Sequence, residues 1–470
     1  MTAAVPATLP LLAARALDAP LAWRAGQPIS GRRYLADVAA CAARLPAGSG
    51  PIVNLCVDRY AFSVALGAAL VAGRLSLLPP NARADTLAQL AQRWPDQLAL
   101  SDDPALDLPG VPLLRLPDLP GTAPLDGNAA VTALPKVPEV PAEAVALCLL
   151  TSGSTGQPQP HLKSWGQEQV NTDAGALRLA EHLGRPDLRS ITIVATVPPQ
   201  HSYGIESSVL LALQGGAAFE AGRPFYPADI ADALAAVPRP RALVTTPFHL
   251  KALLGAGLAL PPVDVVLSAT APLSPQLARQ CEQAMGGPLV EVYGCTEAGQ
   301  VATRRTAAGE VWHTYGALRI HREAAEGDEE RFIVEGGHVL EPTPLSDILQ
   351  LDDASHFRLL GRANDLVHVA GKRSSLGHLN HQLNSIPGVE DGAFWLPDDI
   401  ADGIVRPVAF VVAPTLSADA VRAALRERLE AIFVPRRVVQ VEALPREATG
   451  KLTVAALRQF ALRVLGEGAA

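Results

Sequence analysis

Four apolar runs, "PIVNLCVD", "SITIVATV", "RALVTTP" and "VDVVLSAT", hold mostly Val, Ile, Leu and Ala. Short continuous apolar runs of this kind predict strands buried on both faces. Longer stretches such as "YAFSVALGAALVAG" and "ADIADALAAV" predict helices between them. Strand and helix in alternation predict an α/β architecture of stacked, largely parallel sheets covered by helices. After Arg362 the pattern changes. The short runs "LVHVAG", "GAFWLP" and "PVAFVVAP" precede an amphipathic helix with Leu425, Leu429 and Ile432 on one face, Ser417 as its N-cap and Pro435 past its end. A last helix, Val454 to Leu465, closes the chain. The pattern divides the protein into a large unit, 1–362, and a small α+β unit, 363–470, of about 110 residues. A stretch rich in Pro and Gly, 116–140, marks a break inside the large unit.

Composition narrows the class. The chain has 470 residues, 49% of them hydrophobic, which is enough for sizeable cores. A net charge of −8 argues against nucleic acid as a partner. The five cysteines (Cys41, Cys56, Cys148, Cys281 and Cys295) are odd in number and lack metal-ligand spacing, so they read as thiols in a reducing, cytoplasmic setting. The N-terminus lacks the basic segment of a signal peptide. Uncharged runs such as Ala61 to Gly73 fall short of the roughly 20 residues a membrane span needs.

Four stretches carry candidate chemistry. "TSGSTG", Thr151 to Gly156, follows an apolar run. Its glycines let backbone approach a ligand, and its N–H groups and hydroxyls can wrap a phosphate, although a solvated loop has the same composition. It is not a G-x-x-x-x-G-K-[ST] loop. "VEVYGCTEAGQ" puts Thr296 beside Glu297 at a strand end. There a hydroxyl and a carboxylate could serve phosphate and Mg2+, or simply start a helix. Asp347 and Arg362 suit ribose hydroxyls or phosphate, or form a surface ion pair. Lys451 follows a Thr-Gly turn in "LPREATGKLT", where a solvated lysine is the ordinary outcome.

Taken in order, these stretches resemble the adenylate-forming superfamily of acyl- and aryl-CoA ligases, peptide-synthetase adenylation domains and luciferases. "TSGSTGQP" matches its phosphate loop, "PPQHSYG" its substrate-side motif and "YGCTE" its Thr/Glu motif. "SD" at Ser346 and Asp347 matches its ribose aspartate, "GRANDLVHVAGKR" its hinge and "PREATGK" its lysine loop. The resemblance covers nearly the whole chain and extends faintly to ligases of aryl-polyene pigment pathways.

The resemblance implies a fold of a large adenylation domain with a small mobile lid, and roles residue by residue. Thr151, Ser152, Gly153, Ser154, Thr155 and Gly156 would hold the phosphates of ATP. Thr296 would meet the α-phosphate, Glu297 would bind Mg2+, Tyr293 would lie near adenine, and Asp347 and Arg362 would bind ribose. Lys451 would bridge the carboxylate and the α-phosphate. His201, Gly204, Phe248, Ala269 and Gly294 would surround the acyl group. Gly371 and Arg373 would serve the thiol, with Asn364 as pivot. The implied reaction is ATP-dependent activation of a small carboxylic acid, aryl or medium acyl, to an acyl-adenylate. The acyl group then passes to the pantetheine of coenzyme A or of an acyl carrier protein. Another acceptor, or a binding module without turnover, are the alternatives. The chain departs from the family at Gln159, where a lysine is usual and for which Lys163 could substitute. Asn364 replaces the usual hinge aspartate, and His378 and Asn380 replace an acidic pair. The segments expected to line the acyl pocket offer His201, His249, Phe248 and small residues but no arginine, which suggests an otherwise uncharged acid.

Overall fold

The structure is a computed structural model. It describes residues 6–116, 136–152, 158–324, 330–362, 366–369, 372–397, 407–446 and 452–467. The four buried runs form strands Ile52–Asn54, Thr192–Ala195, Arg241–Thr245 and Val265–Ser268. The apolar stretch between the first two becomes helix Arg59–Val71, whose residues are buried on nearly every side. A helix apolar all round belongs inside a protein.

Two large sheets result. One has the strand order Pro158–Ser164, Val145–Ser152, Ser76–Leu78, Ile52–Asn54, Leu98–Ser101, Leu113–Arg115, and is parallel except at the Pro158–Ser164 edge. The other has eleven strands. Its middle, from Leu289–Cys295 through Val265–Ser268, Arg241–Thr245, Thr192–Ala195 and Ala218–Glu220 to Pro20–Arg24, is parallel. Its two flanks are antiparallel: Gly299–Arg304, Trp312–Thr314, His356–Arg362 and Asp347–Leu351 on one side, Gln27–Ser30 on the other. The sheets are therefore mixed. Antiparallel neighbours such as Leu289–Cys295 and Gly299–Arg304 are joined by short turns, whereas parallel neighbours such as Arg241–Thr245 and Val265–Ser268 are joined through helices.

Beyond residue 366 the chain builds a small α+β layer. Strands Asp391–Trp395, Val408–Val412 and Arg437–Gln440 form one sheet, with helices Leu376–Asn384, Ala418–Arg426 and Val454–Glu467. Its two apolar clusters draw only on residues of this region. Ser417 caps its helix, accepting from the Ala420 N–H at 3.2 Å. That helix ends at Arg426, earlier than its apolar spacing suggests; Leu429 and Ile432 reach the same cluster from turns. Of the expected break at 116–140, residues 117–135 lie outside the described residues. Its end, Glu139–Pro141, is a strand paired with Thr8–Pro10. No helix among the described residues is long and apolar enough to cross a membrane. All five cysteines are unpaired thiols.

Candidate active site

The phosphate-loop candidate is flanked by an antiparallel pair. Strand Val145–Ser152 runs out through Thr151 and Ser152, and Pro158–Ser164 returns, with Pro158 facing Ser152 and Gln159 facing Thr151. Gly153, Ser154, Thr155 and Gly156 lie outside the described residues, as do the side chains of Thr151 and Ser152.

Residues two apart on a strand share a face. On the returning strand, His161 and Lys163 both meet the turn at 296–298. His161 Nε2 is 3.7 Å from Glu297 Oε1. The Lys163 ammonium donates to the Glu297 carbonyl oxygen at 2.7 Å, and Lys163 is only 3% exposed. Gln159 is exposed. The expected substitute for the missing loop lysine is thus turned inward and engaged with a carbonyl.

Thr296 and Glu297 do not start a helix. They form the turn between antiparallel strands Leu289–Cys295 and Gly299–Arg304. The strands close tightly here: a Cβ on Gly294 would come within 2.3 Å of the Gly299 carbonyl oxygen. Glu297 keeps its carboxylate half-exposed at the tip. One hard carboxylate with open space suits Mg2+, which retains several waters and takes its remaining ligands from phosphate. Next to Thr296, Cys295 is half-buried, and burial pushes its thiol up to about 12.

On the other side of the hairpin, the Tyr293 hydroxyl donates to Asp347 Oδ2 at 2.8 Å. The Tyr293 ring lies 5.6 Å from each of the Trp312 and Phe357 rings. Asp347 faces Arg362 across the strand register; the Arg362 side chain is outside the described residues.

His201 caps a short helix, its Nδ1 accepting from the Tyr203 N–H at 3.2 Å. This helix runs into a π-turn, Ile205–Val209, a form frequent at functional sites. Gly204 is required by contact: a Cβ there would sit 1.9 Å from the Pro198 carbonyl oxygen. Phe248 is half-buried, its ring edge-on to His249 at 5.4 Å, and Phe225 meets the same imidazole at 5.2 Å. Burial lowers the His249 imidazole to about 4. Ala269 is buried directly after strand Val265–Ser268. Lys451, Asn364 and Gly371 lie outside the described residues, and Arg373 is described only as part of strand Lys372–Ser375.

Sequence reasoning missed a buried polar cluster under this hairpin. Glu168 and Glu206 are each 2% exposed. The Ser202 hydroxyl donates to Glu206 Oε1, and the Asn171 amide donates to Glu168 Oε2 at 3.5 Å. Burial, then the charge of Glu206, pushes the Glu168 carboxyl up to about 8, and burial raises Glu206 as well; the nearby Lys163 ammonium opposes both shifts. His338 is held down to about 4 by burial and then by Lys163. The available signal was strand period: His161 and Lys163 had to face one side. A second missed contact joins the small layer to the large sheets. Arg446 donates to both oxygens of Asp391 at 2.7 and 2.8 Å. Lys251, from helix Pro247–Gly255, donates to the Glu390 carbonyl at 2.9 Å and lies 3.7 Å from Asp391 Oδ1. Among the described residues, no group of three or more His, Cys, Asp or Glu side chains is placed to hold a metal.

The profile described as AMP-binding enzyme matches residues 13–330, and that described as AMP-binding enzyme C-terminal domain matches residues 380–451. A 4-coumarate–CoA ligase of Rhodobacter capsulatus is 32% identical over 281 residues, which cover 60% of this chain and 67% of that protein. A 4-coumarate–CoA ligase of Halorhodospira halophila is 29% identical over 318 residues, covering 65% and 74%. The crystal structure of ATP-bound MatB from Rhodopseudomonas palustris shares the fold, with a TM-score of 0.74 at 18% identity over 96% of this chain and 97% of that one. With its large mixed sheets, its small C-terminal layer and these matches, the chain belongs to the AMP-binding enzyme family.

Proposed function

We propose that the acid activated by this enzyme is an otherwise uncharged aromatic one. The enzyme is an AMP-forming acid–thiol ligase. ATP and a carboxylate give an acyl-adenylate and pyrophosphate, and the thiol of coenzyme A then takes the acyl group as AMP leaves. Two relatives named as 4-coumarate–CoA ligases support the aromatic reading. So does the edge-on cluster of Phe248, His249 and Phe225. Carrier-protein pantetheine as a second acceptor, and a cytoplasmic location in keeping with five unpaired thiols, belong to the same reading.

The observation that carries the assignment of roles is a convergence on one hairpin. Tyr293, Gly294, Thr296 and Glu297 follow each other on it. One side meets Asp347, and the other meets the strand returning from the phosphate loop. In this assignment Thr151, Ser152, Gly153, Ser154, Thr155 and Gly156 bind the leaving phosphates. Tyr293 lies against adenine, while Asp347 and Arg362 hold the ribose hydroxyls. Thr296 meets the α-phosphate. Glu297 holds Mg2+, which when bound offsets phosphate charge. Lys451 opposes the charge that grows between carboxylate and α-phosphate, where preorganised cations are most effective. His201, Gly204, Phe248, Ala269 and Gly294 bound the acyl group. The units 1–362 and 363–470 then reorient about Asn364, which withdraws Lys451 and brings Gly371 and Arg373 to the thiol path.

The test is pyrophosphate release over benzoates, cinnamates, medium-chain fatty acids and malonate, with and without coenzyme A. Release with benzoates or cinnamates before any thiol is added is expected, with AMP output rising once coenzyme A is present. Release confined to aliphatic acids would overturn the aromatic reading. Lys451→Ala should lose release by about 10²–10³-fold and still convert supplied acyl-adenylate to thioester.

A further inference from the structure

We infer that Lys163 is a positioning residue of the adenylation step: its buried ammonium fixes the Glu297 carbonyl and so sets where the Glu297 carboxylate stands. The inference rests on the role given to Glu297 above.

An ammonium in a protein interior is costly unless it is paired and hydrogen-bonded. The strand position alone does not call for a cation, because an unbranched apolar side chain would fill it. The charge is therefore there for its partners. One is the Glu297 carbonyl at 2.7 Å. Glu168, from helix Trp165–Leu183, and Glu206, from the π-turn, lie close enough for the Lys163 charge to oppose the rise that burial imposes on both carboxyls. Both are almost wholly buried and held by Asn171 and Ser202. The buried Lys163 side chain thus carries its ammonium out of the packed interior to the backbone of a half-exposed turn.

His161 adds the second half of the geometry. Two residues earlier on the same strand face, it approaches the Glu297 carboxylate itself at 3.7 Å. One strand therefore meets Glu297 at both its backbone and its side chain. That strand is the one that leaves the phosphate loop. A shift of strand Pro158–Ser164 and a shift of the Glu297 turn would be joined through Lys163.

Lys163→Met keeps length and loses the donor. A displacement of about 1 Å at a reacting centre can cost on the order of 10²-fold, so carboxylate-dependent pyrophosphate release should fall by up to that factor with the KM for the acid unchanged. Thioester formation from supplied acyl-adenylate should keep its rate. Calorimetry gives a readout without turnover. ATP binding measured in EDTA should match the unsubstituted enzyme, and the extra affinity gained on adding Mg2+ should shrink. In a Glu297→Ala background, Lys163→Met should cost little more. Equal loss in both half-reactions, an intact Mg2+ increment, or a full additive loss on top of Glu297→Ala would each overturn the inference. If the Met variant does not fold, Lys163→Arg serves: it keeps the charge but moves the carbonyl, so the increment should shrink there too, and a full increment sinks the idea. Failure of the reaction assignment is distinguishable, since the unsubstituted enzyme would then release no pyrophosphate with any acid.

Discussion

Asp347 shows how much one side chain can settle. Its carboxylate is half-buried, accepts the Tyr293 hydroxyl and opens an edge strand. A charge-assisted hydrogen bond contributes about 1.5–3 kcal/mol. Asp347→Ala should therefore weaken ATP binding by about 10–150-fold for one such bond lost, measured by calorimetry. Tyr293→Phe, which removes only the phenol donor, should change it far less. Unaltered ATP affinity in Asp347→Ala would remove it from the ribose site. The residue-level signals were uneven. Thr296 and Glu297 stood out because they follow a strand-like run, and Asp347 because a carboxylate there matches a motif in the family's order. Lys163 read as a substitute for the missing loop lysine, because nothing in "PHLKSW" tells which strand face packs inward until the neighbouring elements are in place.

Helix Trp165–Leu183 is capped by Ser164, which accepts from the Gln167 N–H at 3.1 Å, and ends at Gly184 in the left-handed region. Its first turn carries Glu168 into the interior, where Glu206, Lys163 and Asn171 lie around it. The usual carboxyl value of 4.5 rises to about 8 there. Between those values the folded protein holds a proton that the unfolded chain has released. The contribution to stability is complete below the unfolded value and is lost as pH rises through the folded one. Melting temperature should therefore decline from about pH 5 to pH 8, and Glu168→Gln should flatten that decline. A slope unchanged in the variant would assign the decline to other groups. At this scale the sequence was most legible where periodicity was long. Buried strands and the Arg59–Val71 helix followed from apolar runs. The end of the Ala418–Arg426 helix did not, because Leu429 and Ile432 satisfy helical spacing while packing from turns.

For the whole molecule, the order of motifs along the chain revealed the architecture, and the antiparallel flanks of the large sheet were the main feature it hid. Contacts between distant elements were also hidden, since Lys251, Asp391 and Arg446 are ordinary charged residues in sequence. Arg446 enters the segment that ends in Lys451, so Asp391 joins Arg446 to Lys251 on helix Pro247–Gly255 of the large unit. A partly exposed pair of this kind contributes up to about 1 kcal/mol, or about fivefold in the proposed equilibrium between two orientations. Lys251→Ala should shift the ratio of pyrophosphate release to thioester formation by about that much without moving the melting temperature. A constant ratio would make the contact incidental.

Cys295 gives the last consequence. An acyl-adenylate is an electrophile, and in the assignment above it forms beside Thr296, next to a cysteine. A thiolate there would be acylated by the enzyme's own intermediate and the protein would poison itself. Burial raises the Cys295 thiol above its ordinary value of 9.0, to about 12, so the thiolate, which is the nucleophile, is scarcer there than at an exposed cysteine. In that assignment the hairpin's own sulfur is a poor competitor for the thiol that arrives from outside.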